Sequence, residues 1–184
     1  IAPVYYSFGN HELEYMELNS NADAFRAQLE AAGAVVLEKE YIDTEINGCP
    51  IRIGGVYGYV LDREWEDGSE QEFMRDFQDT DRLKILLSHI PEGLLLWESM
   101  EYWDVDLVFS GHVHGGQARL PFIGGLYDPE EGWFPTYTKG IFECGNGTMI
   151  LSAGLGSSGG LPRINNLPDL VVCTVKGKYP VSNK

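Results

Sequence analysis

Two short apolar strands with a helix between them set the fold class of this chain. Residues 83–88 (LKILLS) and 106–110 (DLVFS) each have the length and composition of a buried strand, and EGLLLWESMEY between them reads as helical. Strand, helix, strand is the βαβ unit, and such crossovers join parallel neighbours, so part of the sheet is expected to be parallel. Each strand runs into a histidine-bearing loop. His89-Ile90-Pro91 follows the first, and Gly111-His112-Val113-His114-Gly115-Gly116-Gln117 follows the second. In an open α/β sheet, ligands bind at the carboxyl ends of the strands.

The rest of the chain fits around that unit. Pro3 to Phe8 reads as a strand ending in a polar loop, Gly9-Asn10-His11-Glu12. A helix is expected from Ser20, with Ser20 and Asp23 as a capping box, Phe25, Leu29 and Ala32 at helical spacing, and Gly33 as the stop. AVVLE, YIDTEI and PIRIGGVYGYV read as strands, the last two joined by an Asn47-Gly48 turn. Residues 62–81 are charge-rich and read as a loop plus a short solvent-facing helix. Past residue 117 the chain becomes loop-rich. It closes with a strand TMILSA, a loop GLGSSGGLPRINN and a last strand DLVVCTV. With no internal repeat and no linker, residues 1–184 are expected to form a single α/β domain.

The charge balance narrows the partners. The chain has 28 acidic and 13 basic residues, a formal charge of −15, and no basic cluster. A nucleic-acid surface or an anionic membrane surface would normally carry the opposite sign, so neither is an expected partner. An anionic phosphate substrate would need a local source of positive charge, for which bound metal ions are the obvious candidate. Cys49, Cys144 and Cys173 are far apart, form neither a disulfide framework nor a thiolate zinc motif, and are expected to be small core residues. No apolar run has the length of a membrane span and no signal peptide is visible. The chain opens at Ile1 in a strand-like segment without an initiator methionine, as expected of a processed or truncated product. Localisation is left open.

The four histidines all follow predicted strands. A lone histidine is ordinarily a hydrogen-bonded surface or core residue; four at equivalent strand ends favour one shared site. His112 and His114 are one residue apart, and in an extended segment alternate side chains share a face. Their flanking glycines let backbone approach a ligand closely. Neutral imidazole suits zinc, iron, manganese or nickel, and His89 adds a third such donor. Asn10 offers a hard carbonyl oxygen. His11, on the opposite face of an extended segment, is better placed as a proton donor than as a ligand to the same ion.

Gly9-Asn10-His11-Glu12, Leu87-Ser88-His89 and Gly111-His112-Val113-His114, in that order, resemble the last three motifs of the calcineurin-like metallophosphoesterases. The longer Ser-Gly-His-x-His-Gly-Gly-Gln form, with the Gly154–Arg163 loop and final strand, resembles a branch of bacterial phosphodiesterases that often carry a membrane-anchoring N-terminal segment. The likeness spans nearly the whole chain. It implies two mixed β-sheets packed face to face with flanking helices (an α/β/β/α sandwich), and hydrolysis of a small phosphoester, more a diester than a monoester, by metal-activated hydroxide. It implies two divalent ions, Mn, Fe, Zn or Ni. Asn10, His89 and His112 would hold one and His114 the other, with His11 protonating the leaving group.

The family's earlier motifs, Asp-x-His and Gly-Asp-x-x-Asp, occur nowhere in these residues. Those motifs carry the bridging carboxylate and most ligands of the first ion, so at most one weakly bound ion and little or no hydrolysis are expected of this chain alone. The missing segment would also supply central strands, leaving sheet edges open to self-association. The rival reading is a non-catalytic metal-binding or interaction module derived from the same fold.

Two further signals carry less. Gly154-Leu-Gly156-Ser-Ser-Gly159 matches a dinucleotide fingerprint, but Leu161-Pro162-Arg163 follows in place of a helix, so it is read as a loop. Arg163 in that loop has the geometry to contact a substrate phosphate, against the plainer reading of a solvated arginine.

Overall fold

The structure, a computed structural model, describes residues 2–59, 61, 68–96, 98–157 and 162–176. Its centre is a six-stranded mixed sheet. The contributing strands are β3 (Glu40–Ile46), β4 (Cys49–Val56), β5 (Leu83–Ser88), β6 (Leu107–Ser110), β11 (Gly140–Cys144) and β12 (Gly147–Leu151). Their order is β11-β12-β6-β5-β4-β3. The four inner strands run parallel, and the two edge strands are antiparallel to their neighbours. The βαβ expectation therefore holds: β5 and β6 lie side by side with their carboxyl ends together.

Both faces of the sheet are covered in part, for reasons visible in strand alternation. One face presents Val56, Leu86, Val108 and Met149 to Phe73, Met74 and Phe77 of α3 (Ser69–Gln78) and to Leu94 and Leu95 of α4 (Glu92–Leu95). Gly54 lets α3 approach, since a Cβ there would lie 2.7 Å from the Phe77 ring. The opposite face presents Ile51, Ile53, Leu83 and Ile85 to Leu37, Tyr5 and Val35. Tyr5 and Val35 belong to a second, two-stranded parallel sheet of β1 (Val4–Tyr6) and β2 (Ala34–Val36), in which they are register partners. The outer side of that pair, Tyr6 and Val36, packs with Phe8 on Met16 and Leu13 of α1 (Asn10–Asn19) and on Phe25 and Leu29 of α2 (Ala22–Ala31). Helices, a small sheet, the large sheet and helices again form the α/β sandwich expected.

Beyond residue 117 two small hairpins, β7 (Arg119–Leu120) with β8 (Gly124–Gly125) and β9 (Tyr127–Asp128) with β10 (Gly132–Trp133), precede the β11–β12 hairpin. Among the described residues, no helix is long and apolar enough to cross a membrane.

Several local expectations are corrected. Gly9–Glu12 is not an extended loop: Asn10 opens α1, with the Gly9 N–H donating to the Glu12 carboxylate at 2.9 Å and Leu13 N–H to the Gly9 carbonyl at 3.1 Å. Ser20 does not start the next helix. It ends α1 in the left-handed region, and α2 begins after Asn21 with no side-chain cap. The helix in residues 62–81 does not face solvent, because Gln71, Phe73, Met74 and Phe77 are buried; residues 62–67 lie outside the described set. The helix expected after Pro91 stops at Leu95, and a 3₁₀ turn, Ser99–Glu101, follows Glu98 at a positive φ. DLVVCTV makes no strand in the described residues, and Leu170 and Val172 are exposed. Cys49 and Cys173 are exposed, and only Cys144 packs against the core.

Candidate functional site

The carboxyl ends of β5 and β6 bring His89 and His112 together. Ser88, fully buried, ends β5, and the Ser110 hydroxyl at the end of β6 donates to the Ser88 carbonyl, which ties the two strand ends. His89 is stacked parallel to Tyr57, with ring centroids 6.2 Å apart and planes 11° apart. Gly9 also abuts the ring, since a Cβ there would lie 2.6 Å from His89 Cε1 and 2.7 Å from its Nδ1. The ring thus neighbours both an aromatic side chain and a position with room only for hydrogen.

Two further donor atoms meet the free end of that ring. His89 Nε2 lies 2.9 Å from Asn10 Oδ1 and 3.3 Å from His112 Nδ1. Asn10 reaches it as the first residue of α1, so the helix that was not expected is what aims the amide. The His89 and His112 rings meet edge to face with centroids 5.2 Å apart.

The turn carrying His112 and His114 is not extended. Both residues have positive φ, 67° and 47°, and Val113 between them is buried as the anchor. Non-glycine residues in that region cost on the order of 1 kcal/mol each and are held there by surrounding contacts. The two side chains are set by left-handed backbone rather than by strand alternation. His114 Nδ1 lies 3.2 Å from the Gly156 carbonyl.

Electrostatics mark the four histidines as neighbours. Burial pushes the His89 pKa down to about 4, with His112, His114 and His11 lowering it further and Glu12 opposing. Burial also lowers His112, against the pull of Asp128, and lowers His114. The cause in each case is that a buried cation loses hydration. Neutral imidazoles at neutral pH are what metal ligation requires. His11 is more exposed, on the first turn of α1, with Nδ1 3.9 Å from Glu14.

Among the described residues, no group of three or more His, Cys, Asp or Glu side chains is disposed to hold one ion. What is gathered is two imidazoles and one amide oxygen, a donor set that fits part of the sphere of a single borderline divalent ion. His114 does not join that trio. Arg163 faces backbone: its Nε donates to the Gly156 carbonyl at 2.7 Å, and its Nη2 to the Ala153 and Gly156 carbonyls.

Sequence reasoning missed several participants. Gly9 had no signal beyond its place before Asn10. Tyr57 and the buried Asp128 come from segments whose pattern says nothing of the site.

Residues 1–116 match the family described as calcineurin-like phosphoesterase. An uncharacterized metallophosphoesterase of Aquifex aeolicus (strain VF5) is 37% identical over 175 residues, which are 92% of this chain and 59% of that protein. The uncharacterized metallophosphoesterase YkuE of Bacillus subtilis (strain 168) is 29% identical over 92% of this chain and 54% of its own. Phosphodiesterase YaeI of Escherichia coli (strain K12) is 33% identical over 89 residues, 48% of this chain and 31% of that protein. The chain therefore spans somewhat over half the length of the first two relatives. No solved structure matches it.

Proposed function

This chain belongs to the calcineurin-like phosphoesterase family, and from that membership we propose that it is the major part of a metal-dependent phosphoester hydrolase acting on diesters in preference to monoesters. The observation that carries the reading is the meeting of Asn10 Oδ1, His89 Nε2 and His112 Nδ1 at the carboxyl edge of the sheet. Those three residues would hold one divalent ion, and His114 would serve a second. Such ions supply Lewis-acid polarisation of a phosphoryl oxygen and a nucleophile at neutral pH.

The chain's own residues supply the rest. His11, exposed on the first turn of α1 beside the other three histidines, donates a proton to the departing oxygen. The amino end of α1 faces the same place and favours an anion, which matters in a chain of formal charge −15. Burial of His89 and His112 lowers the pKa of both rings and so favours the neutral form that ligation needs. A phosphodiester then sits between the strand ends and the first turn of α1. YaeI is named a phosphodiesterase, which favours the diester reading.

Among the described residues, His114 is the donor left for a second ion, and one ligand is too few for a stable site. Residues 1–184 alone therefore bind at most one ion, weakly, and hydrolyse little. The membrane association often found in the resembled branch, and self-association through open strand edges, belong to the same proposal. The rival, a non-catalytic binding module, draws on the incomplete donor set.

The test is hydrolysis of bis-p-nitrophenyl phosphate with added manganese. Three proteins are compared: this chain, the chain extended upstream to the length of its relatives, and the extended chain with His11→Asn. Activity confined to the extended protein and reduced by the substitution supports the reading. No activity under any of manganese, iron, zinc or nickel favours the binding module.

A further inference from the structure

His114 is held in place by residues from the far end of the chain. Its Nδ1 lies 3.2 Å from the Gly156 carbonyl oxygen. A carbonyl only accepts, so the hydrogen is on Nδ1 and the lone pair is on Nε2. That same carbonyl is fixed by Arg163, whose Nε donates to it at 2.7 Å and whose Nη2 spans it and the Ala153 carbonyl. The guanidinium thus sets where the acceptor for His114 stands.

The backbone of His114 is held by a second residue. Asn166 is 4% exposed, and its Nδ2 donates to the His114 carbonyl at 2.7 Å and to the Gln117 carbonyl at 3.1 Å. Both amide hydrogens are used, on the two sides of the turn that carries His114 at positive φ. Gly115 gives the clearance, since a Cβ there would lie 2.7 Å from Asn166 Oδ1. The segment is registered by a parallel bridge of Ala118 with Ile164, in which Arg119 N–H donates to the Ile164 carbonyl at 2.9 Å. Ile164, Leu167 and Leu170 are exposed, so hydrogen bonds and not apolar burial hold this segment to the loop.

We propose that Arg163 and Asn166 are positioning residues for His114: Arg163 places the carbonyl that selects the Nδ1–H tautomer, and Asn166 holds the left-handed backbone that aims the ring. The lone pair is then on Nε2, the ring nitrogen turned away from Gly156. The use of that lone pair as a metal ligand rests on the hydrolase reading above; the tautomer does not. In this role Arg163 acts through Gly156, with Nε and Nη2 donating to backbone carbonyls and Nη1 buried without a partner among the described residues.

The experiment is a long-range ¹H–¹⁵N imidazole spectrum of the full chain labelled at histidine, at neutral pH without metal. His114 is expected as the Nδ1–H tautomer in the unsubstituted protein. Arg163→Ala and Asn166→Asp should each shift its tautomer ratio by roughly tenfold, the equivalent of one lost hydrogen bond. Arg163→Lys, which keeps one donor, should restore part of the ratio, and backbone amide shifts of β4, β5 and β6 should stay in place. An Nε2–H tautomer in the unsubstituted protein overturns the proposal without any variant. So does an unchanged His114 in folded Arg163→Ala and Asn166→Asp. Activity on bis-p-nitrophenyl phosphate is scored separately in the extended chain. A tautomer shift with no hydrolysis in any form removes the hydrolase reading and leaves the positioning role standing.

Discussion

The ring of His89 occupies the space that a side chain at Gly9 would need: a Cβ there would lie 2.6 Å from His89 Cε1 and 2.9 Å from the Glu12 carboxylate. The relationship ties the amino end of α1 to the end of β5, and Asn10 reaches His89 Nε2 only because of it.

Gly9→Ala should therefore displace either α1 or the imidazole. In the extended chain, affinity for manganese should fall by roughly 10- to 100-fold, the usual cost of disturbing what orients a ligand. Overpacking should also lower stability by about 1–3 kcal/mol. Calorimetric titration and urea unfolding measure the two effects; unchanged affinity would mean that Asn10 and His89 do not act together.

Glu92 is buried at 3% exposure, and burial first, then Asp128, Glu130 and Glu131, raises its pKa from 4.5 to about 7. The folded state thus holds a proton that the unfolded state releases. The penalty is absent below pH 4.5, grows as pH rises, and is complete above pH 7, at no more than roughly 3 kcal/mol. Glu92→Gln should unfold at higher urea than the parent at pH 8, with the two converging towards pH 4.5. Parallel curves across that range would place the carboxyl in water.

Arg52 joins three elements. It pairs with both oxygens of Asp43 on β3 at 2.8 and 3.0 Å, donates to the Asp76 carbonyl at 3.0 Å, and lies 3.9 Å from the centre of the Tyr41 ring. An ammonium cannot reproduce that fork. Arg52→Lys should cost about 2 kcal/mol in urea unfolding, with the histidine site unaffected in its imidazole spectra.

Leu86, fully buried on β5, packs in the core of the sheet face covered by α3. Leu86→Ala should cost about 2–5 kcal/mol, the range for an incompletely collapsed core cavity. A urea midpoint near that of the parent would show that the site collapses around the loss.

Much of this was legible in the chain. Short apolar runs ending at His89 and at Gly111 announced parallel strands with their carboxyl ends together, because buried parallel strands need no alternation to be recognised. Helix α1 was hidden because its sequence, NHELEYMELN, buries only Met16, so no apolar stripe marks it. The extended geometry expected of His112 and His114 is replaced by two left-handed residues, which spacing alone does not reveal. The contacts of His114 with Gly156 and Asn166 cross 42 and 52 residues. No local periodicity encodes a hydrogen bond between loops so far apart. DLVVCTV shows the reverse error, since β-branched residues favour a strand only where a neighbouring edge is available.

The most direct test of the central claim is manganese-dependent hydrolysis of bis-p-nitrophenyl phosphate by the upstream-extended chain, with and without a chelator, beside its His112→Ala variant. The account predicts activity that the chelator removes and manganese restores, and that falls at least roughly 100-fold in the variant. Hydrolysis that ignores the chelator, or that survives the loss of His112, would contradict it.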